Sequence, residues 1–179
     1  DLCQQQPNGL IWSGCQYGNI VVFDPQTKEA VHILNPPAMK GASVRQIAED
    51  KKGNLWFGTQ NGLLVKWNKN DGISNKNFKI IHDFQAAIFL LNIDSVGRIW
   101  VGTNKKGLFV MDSTGTKELF HFTEEHSNVP ELFGNSIYDV EQYNDSIYYV
   151  ATGLLNILNI NSGNLRRLTL YDGLPGNNV

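Results

Sequence analysis

The side chains of this chain best suited to metal or nucleophilic chemistry are four histidines, His32, His82, His121 and His126, and two cysteines, Cys3 and Cys15. A metal centre needs such groups at close, paired spacings, and a nucleophile needs a base and an orienting partner beside it. None of the histidines stands at a ligand spacing from another histidine, a cysteine or a carboxylate. No phosphate-binding glycine loop, nucleophile elbow or clustered catalytic pair occurs either. The expectation is a non-enzymatic segment with no metal and no cofactor. What its polar side chains could do is bind. Gln16-Tyr17, Gln60-Asn61 and Asn104-Lys105-Lys106, with the stretches 35–42, 123–135 and 171–178, carry amide, aromatic and charged groups of the kind that hold sugars. Tyr17, Gln60, Asn61, Asn104, Lys105 and Phe133 are the candidate ligand-binding residues. Tyr17 and Asn61 stand out because each comes immediately before a glycine. The longest connection, 123–135, with Glu124, Glu125, His126 and Phe133, is the candidate partner contact.

Such loops need a frame, and the sequence repeats one. GLIWSGCQYGNIVVFD (9–24), GNLWFGTQNGLLVKWN (53–68) and GRIWVGTNKKGLFVMD (97–112) are variants of one phrase. Trp12, Trp56 and Trp100 recur at intervals of 44 residues, and a weaker fourth copy, IYYVATGLLNILN (147–159), puts Tyr149 in the tryptophan position. A period of 40–50 residues fits propeller blades or some helical repeats. Composition separates them: the segments are short, rich in β-branched and aromatic residues, and broken by Gly or Asn every few positions. Each copy reads as four antiparallel strands, in the second copy over 43–49, 54–59, 62–68 and 78–84. Asp50-Lys51-Lys52-Gly53 and Asp94-Ser95-Val96-Gly97 suit a type I turn closed by a left-handed glycine. Asn144-Asp145-Ser146 lacks that glycine and predicts a different turn.

Leu55-Trp56-Phe57 and Ile99-Trp100-Val101 are apolar on both strand faces, so the second strand should be covered on both sides. Radially stacked sheets supply that environment. The fold class is therefore all-β, a β-propeller of about four blades with four antiparallel strands each. The blades fall at about 1–38, 39–85, 86–125 and 126–172, with 173–179 starting the first strand of a further blade. The tryptophans, with Tyr149, are the structural anchors of the repeat. The tail LPGNNV (174–179) aligns with LFGNSI (132–137), so the two ends of the chain are successive in register. Either the tail completes a blade of its own chain or of a second copy, or the segment is a slice of a larger propeller. The slice is favoured. The register places Cys3 opposite Trp12 with Cys15 further along, too far for a disulfide, and both read as small apolar fillers. His32, His82 and His121 fall on outermost, solvated fourth strands.

Length and charge agree with this. The chain has 179 residues, enough for one sizeable core. Lys and Arg total 15 against 17 Asp and Glu, a formal charge of −2, so nothing favours nucleic acid as a partner. No apolar run approaches the ~20 residues that span a bilayer, and direct membrane insertion is not expected.

Asp50-x-x-Gly53-Asn54-Leu55-Trp56-Phe57-Gly58-Thr59-x-Asn61-Gly62-Leu63 resembles the two-component regulator propeller repeat. Asp94-x-x-Gly97-Arg98-Ile99-Trp100-Val101-Gly102-Thr103, followed by Gly107-Leu108, has the same pattern. FTEEHSNVPELFGNSIYDV (122–140) and LYDGLPGNNV (170–179) are similar to the family's inter-repeat signature. Ser13 and Ala151 depart from the pattern. The Asp-box of sialidase propellers is rejected, because there Asp and Gly are two apart and here they are three apart. The resemblance implies the periplasmic sensor region of a bacterial hybrid two-component regulator. Such a region works as a homodimer, contacts neighbouring blades and domains of its own chain, and responds to oligosaccharides from polysaccharide breakdown. A histidine kinase would lie elsewhere in the parent protein. Two rivals remain open. A free-standing propeller scaffold for protein partners would need no kinase. A propeller lyase or hydrolase would need a histidine or carboxylate cluster at the central axis.

Overall fold

The computed structural model describes residues 3–5, 9–124, 132 and 134–174. Sixteen strands form four four-stranded antiparallel sheets in which chain neighbours are always sheet neighbours. Sheet 1 holds β1 (Cys3–Gln5), β2 (Ile11–Gly14), β3 (Ile20–Asp24) and β4 (Glu29–Leu34). Sheet 2 holds β5 (Val44–Glu49), β6 (Leu55–Thr59), β7 (Leu63–Trp67) and β8 (Phe78–Asp83). Sheet 3 holds β9 (Ile88–Ile93), β10 (Ile99–Thr103), β11 (Leu108–Met111) and β12 (Glu118–Phe122). Sheet 4 holds β13 (Asp139–Gln142), β14 (Ile147–Ala151), β15 (Leu155–Asn159) and β16 (Leu165–Arg167). Among the described residues the helical segments are all single 3-10 turns. The architecture is a β-propeller arc, as the repeat predicts. The strands of the second copy lie within a residue of their expected ends.

Three hydrophobic clusters join the sheets, 1 to 2, 2 to 3 and 3 to 4. Each tryptophan of a second strand points at the sheet that follows. Trp12 packs on Phe57 and Trp67 of sheet 2, Trp56 joins the cluster with Ile88 and Phe109 of sheet 3, and Trp100 stacks on Tyr148 of sheet 4 at 4.1 Å. Losing one of these side chains to Ala would cost ~3–5 kcal/mol. No cluster among the described residues joins sheet 4 to sheet 1, so the stack is open. Burial records this. Every residue of β6 and β10 is buried, while β2, β14 and β15 alternate buried with half-buried. A strand covered on both faces loses its period of two, and one covered on a single face keeps it. Tyr149 lies on the uncovered face of sheet 4 with Ile147, Leu155 and Ile157, half-buried, whereas its neighbour Tyr148 is enclosed.

The glycine two residues after each second-strand tryptophan has a reason. A Cβ on Gly58 would lie 2.6 Å from Ile88 Cγ2, one on Gly102 2.8 Å from Ile137 Cβ, and one on Gly14 2.5 Å from Val44 Cγ1. Each of these is where the next sheet's first strand begins, and only a missing side chain allows that approach. Ala151 occupies the same place on sheet 4, where no described sheet follows. One register detail differs from the sequence reading. Cys3 pairs with Ser13, and Gln4 is the residue opposite Trp12. The turn sets this: Asp50 N–H donates to the Asn54 carbonyl and Glu49 pairs with Leu55, so Ala48 faces Trp56 and its equivalent in sheet 1 is Gln4.

Candidate functional site

The two ends of the arc are built differently. At one end lie the turns joining first to second and third to fourth strands; at the other lie the second-to-third loops and the crossings between sheets.

At the hairpin-turn end an aspartate organises each middle sheet. Asp50 Oδ1 accepts from the Lys52 and Asn54 amides, and Oδ2 accepts from Asn54 Nδ2 and from the Trp56 indole N–H at 3.1 Å. Asp94 repeats this with the Val96 and Arg98 amides and the Trp100 indole N–H at 2.9 Å. Its Oδ2 also accepts from Arg98 Nε at 2.6 Å and from the Tyr148 hydroxyl at 3.1 Å, which reaches across from sheet 4. Arg98 in turn donates to the Tyr148 oxygen at 2.8 Å. Burial pushes the Asp94 carboxyl up, but the bonds from Trp100 and Arg98 and the guanidinium charge outweigh it and leave its pKa lowered. Asp50 is lowered for the same balance of reasons, burial against hydrogen bonds from Asn54, Trp56 and Lys52. Burial, and then the Asp94 charge, push the Tyr148 phenol up to about 12. The sequence reading gave these aspartates only the turn. The Asp-x5-Trp spacing, 50 to 56 and 94 to 100, is the signal for their second task.

At the loop end, threonines fix the connections that carry the candidate residues. Buried Thr59 Oγ1 lies 2.6 Å from Asn61 Oδ1 and accepts the Leu63 amide at 2.8 Å. Thr103 Oγ1 donates to the Gly107 carbonyl at 2.8 Å. Asn61 therefore spends its carbonyl on the loop itself. Tyr17 is 74% exposed, in a left-handed conformation, with its own carbonyl accepting from Asn35 Nδ2. Lys105 is exposed on its loop at φ 76, and Asn104 Oδ1 accepts from Ser136 Oγ at 3.2 Å. Phe133, Glu125 and His126 lie outside the described residues.

Between these loops, where the first strands converge, a cavity of about 470 Å³ opens. Gln16, Arg45, Gln46, Phe89 and Tyr138 line it with Ser43 and Val44. Of the candidates, Gln60 bonds to a lining residue without lining the cavity itself: Arg45 Nε donates to Gln60 Oε1, and the guanidinium lies 5.7 Å from the centre of the Phe89 ring. Gln46 Nε2 donates to the Phe89 carbonyl at 2.7 Å. Tyr17, Asn61, Asn104 and Lys105 share this end without lining the cavity. Arg45, Phe89 and Tyr138 were not singled out from the sequence, yet the repeat itself points to them. They are spaced 44 and 49 residues apart, as Trp56, Trp100 and Tyr149 are, and each follows the apolar residue (Val44, Ile88, Ile137) that packs against a second-strand glycine. The frame position repeats and the next one changes from Arg to Phe to Tyr. The cavity thus offers a fixed cation, two rings and several amides, a set suited to hydrogen-bonding and stacking on a sugar.

Among the described residues no group of three or more His, Cys, Asp or Glu side chains could hold a metal ion. His82 lies against Phe84 at 4.4 Å, and His121 stacks on Phe109 at 3.8 Å with Nε2 2.8 Å from the Lys106 carbonyl. No helix among the described residues is long and apolar enough to cross a membrane.

Comparison with known proteins bears on the fold and the repeat. Residues 39–61 match the family model described as two component regulator propeller. Among solved structures, the chain is similar to the extracellular domain of BT3049 from B. thetaiotaomicron, assigned as a hybrid two component system. The identity is 27% and the TM-score 0.78, over 98% of this chain and 23% of that one. It also shares the fold of the extracellular domain of BT4673 from B. thetaiotaomicron, assigned as a one component system, at 18% identity and TM-score 0.72, over 93% of this chain and 24% of that one. A chain of the mitotic checkpoint complex has the same fold at 13% identity and TM-score 0.69, over 93% of this chain and 49% of that one. No curated protein sequence matches. The chain spans about a quarter of the two extracellular domains it resembles. Residues 39–61 thus carry the two-component regulator propeller repeat, and the chain has the propeller fold of the extracellular region of such a system.

Proposed function

We propose that this chain is a ligand-sensing, extracytoplasmic segment of a hybrid two-component signal-transduction regulator that responds to oligosaccharides released from polysaccharides. The cavity lined by Arg45, Phe89 and Tyr138 carries the reading, because side chains that differ between repeats converge there on a frame that does not. In this reading the segment is periplasmic and non-catalytic, further blades of the parent protein cover its open sheet faces, and the intact sensor is a homodimer linked to a kinase. The uncovered faces of sheets 1 and 4 favour a slice of a longer propeller over a free-standing scaffold. A sugar signals only if it binds one arrangement of the sensor better than another. Titration calorimetry against neutral and acidic oligosaccharides tests the reading. Saturable heat with at least one sugar, lost in Tyr138→Ala, is expected; silence across the panel would move the weight to the scaffold.

A further inference from the structure

The hairpin-turn end holds a second cavity, of about 400 Å³, between sheets 2 and 3. That volume falls within the roughly 300–1,000 Å³ of small-molecule sites. Its walls are apolar: Ile81 from β8, Ile93 from β9, and Val96 from the turn before β10, with Trp56 beneath. Val96 is 62% exposed at a place where the second copy has Lys52, so the turn presents an alkyl group to solvent beside an apolar floor. Three lysines line the same space, Lys51, Lys52 and Lys66, against one acidic residue, Asp50. That carboxylate is already held by Asn54, Lys52 and Trp56, and its nearer oxygen is 3.9 Å from Lys66 Nζ. Lys66 Nζ lies 4.3 Å from the centre of the Trp56 ring, which fixes a cation over an aromatic face. Lys51 donates to the Ser95 carbonyl and ties the two turns together.

An apolar floor beneath an excess of cations selects one chemistry. A hydrocarbon body gains by covering Val96, Ile81 and Ile93, and a single anionic head gains charge-assisted hydrogen bonds from the lysines. We propose that this inter-sheet cavity binds a small amphipathic anion, a ring or short hydrocarbon body bearing one carboxylate or sulfonate. The site is separate from the cavity at the loop end and does not rest on the sugar-sensing reading. A ligand there touches both middle sheets and clamps their turns.

The probe is anilinonaphthalene sulfonate, titrated into the isotope-labelled chain and followed by amide and indole NMR signals, with uncharged phenylnaphthylamine as the comparison. Saturable shifts at Val96, Gly97, Thr114 and the Trp56 indole are expected. Affinity should fall at least tenfold for the uncharged compound and for Lys66→Met, and Val96→Glu should abolish the shifts. Should Lys66→Met lose its native spectrum, the exposed Lys52→Met carries the same charge test. Shifts confined to the open faces around Tyr149 and Ile157, or equal affinity for the charged and uncharged probes, would overturn the assignment.

Discussion

The two ends of the arc share every strand and differ in what they do with repetition. At the hairpin-turn end of the two middle sheets, Asp50 and Asp94 each accept from the indole of the same tryptophan position. At the loop end the backbone repeats while Arg45, Phe89 and Tyr138 do not. Repetition marks what holds the sheets together, and variation on a fixed frame marks what faces a partner. Mutations of the repeated aspartates and tryptophans should therefore act on stability, and mutations of Arg45, Phe89 and Tyr138 on sugar binding.

The largest effect should come from Trp100→Ala, which empties the layer between sheets 3 and 4 and frees Tyr148 from its stack. Urea unfolding should show a loss of ~3–5 kcal/mol. Asp94→Ala removes the acceptor for two amides, an indole, a guanidinium and a phenol. The loss should be about 2–4 kcal/mol by the same measurement, since buried donors left unpaired carry their desolvation cost. A stability change no larger than that of a surface substitution would break the contrast between the ends.

Gly102→Ala sharpens it further. The added methyl meets Ile137 and Leu90 at 2.8 Å, and about 1–3 kcal/mol should be lost as the sheets are pushed apart. The same change in the other direction, Ala151→Gly on the open face of sheet 4, should stay under about 1 kcal/mol.

Acid should act through the aspartates. Their folded pKa values lie below the ordinary 3.8, so the stability they supply is complete above that value and drains away as pH falls through the lowered one. Urea midpoints measured from neutral pH downward should fall only in that acid window, and less steeply in Asp94→Asn. The Tyr148 phenol behaves oppositely: its value is raised, so its share is intact below 10 and is lost as pH rises through about 12.

Most of the frame was readable in the sequence because a period of 44 residues with a fixed tryptophan leaves few alternatives. The strand ends of the second copy, the left-handed glycines Gly53 and Gly97, and the place of His32, His82 and His121 on fourth strands followed from turn chemistry and the repeat. Less legible were effects that depend on a neighbouring sheet. Nothing local to Gly58 reveals that Ile88 will sit against it, and Asp94 looks like a turn residue until Trp100 and Tyr148 close around it. Of the candidate cavity little was visible. Loop polarity led to Gln60, which bonds to the lining residue Arg45, while Arg45 and Phe89 hid inside strand beginnings because strands were read for burial. Comparing the copies for what changes, as well as for what recurs, would have found them.

The smallest effect on stability should be at the loop end. Arg45→Ala and Tyr138→Ala remove exposed side chains and should shift unfolding by no more than about 0.5 kcal/mol. Their consequence is for the ligand. The most direct test of the account is therefore a crystal structure of the chain with the oligosaccharide that binds it best. A sugar ring seated against Phe89 and Tyr138, with the Arg45 guanidinium within hydrogen-bond reach of it, is the predicted result. A sugar bound at the Asp50 and Asp94 turns, or on the outermost strands, would contradict it.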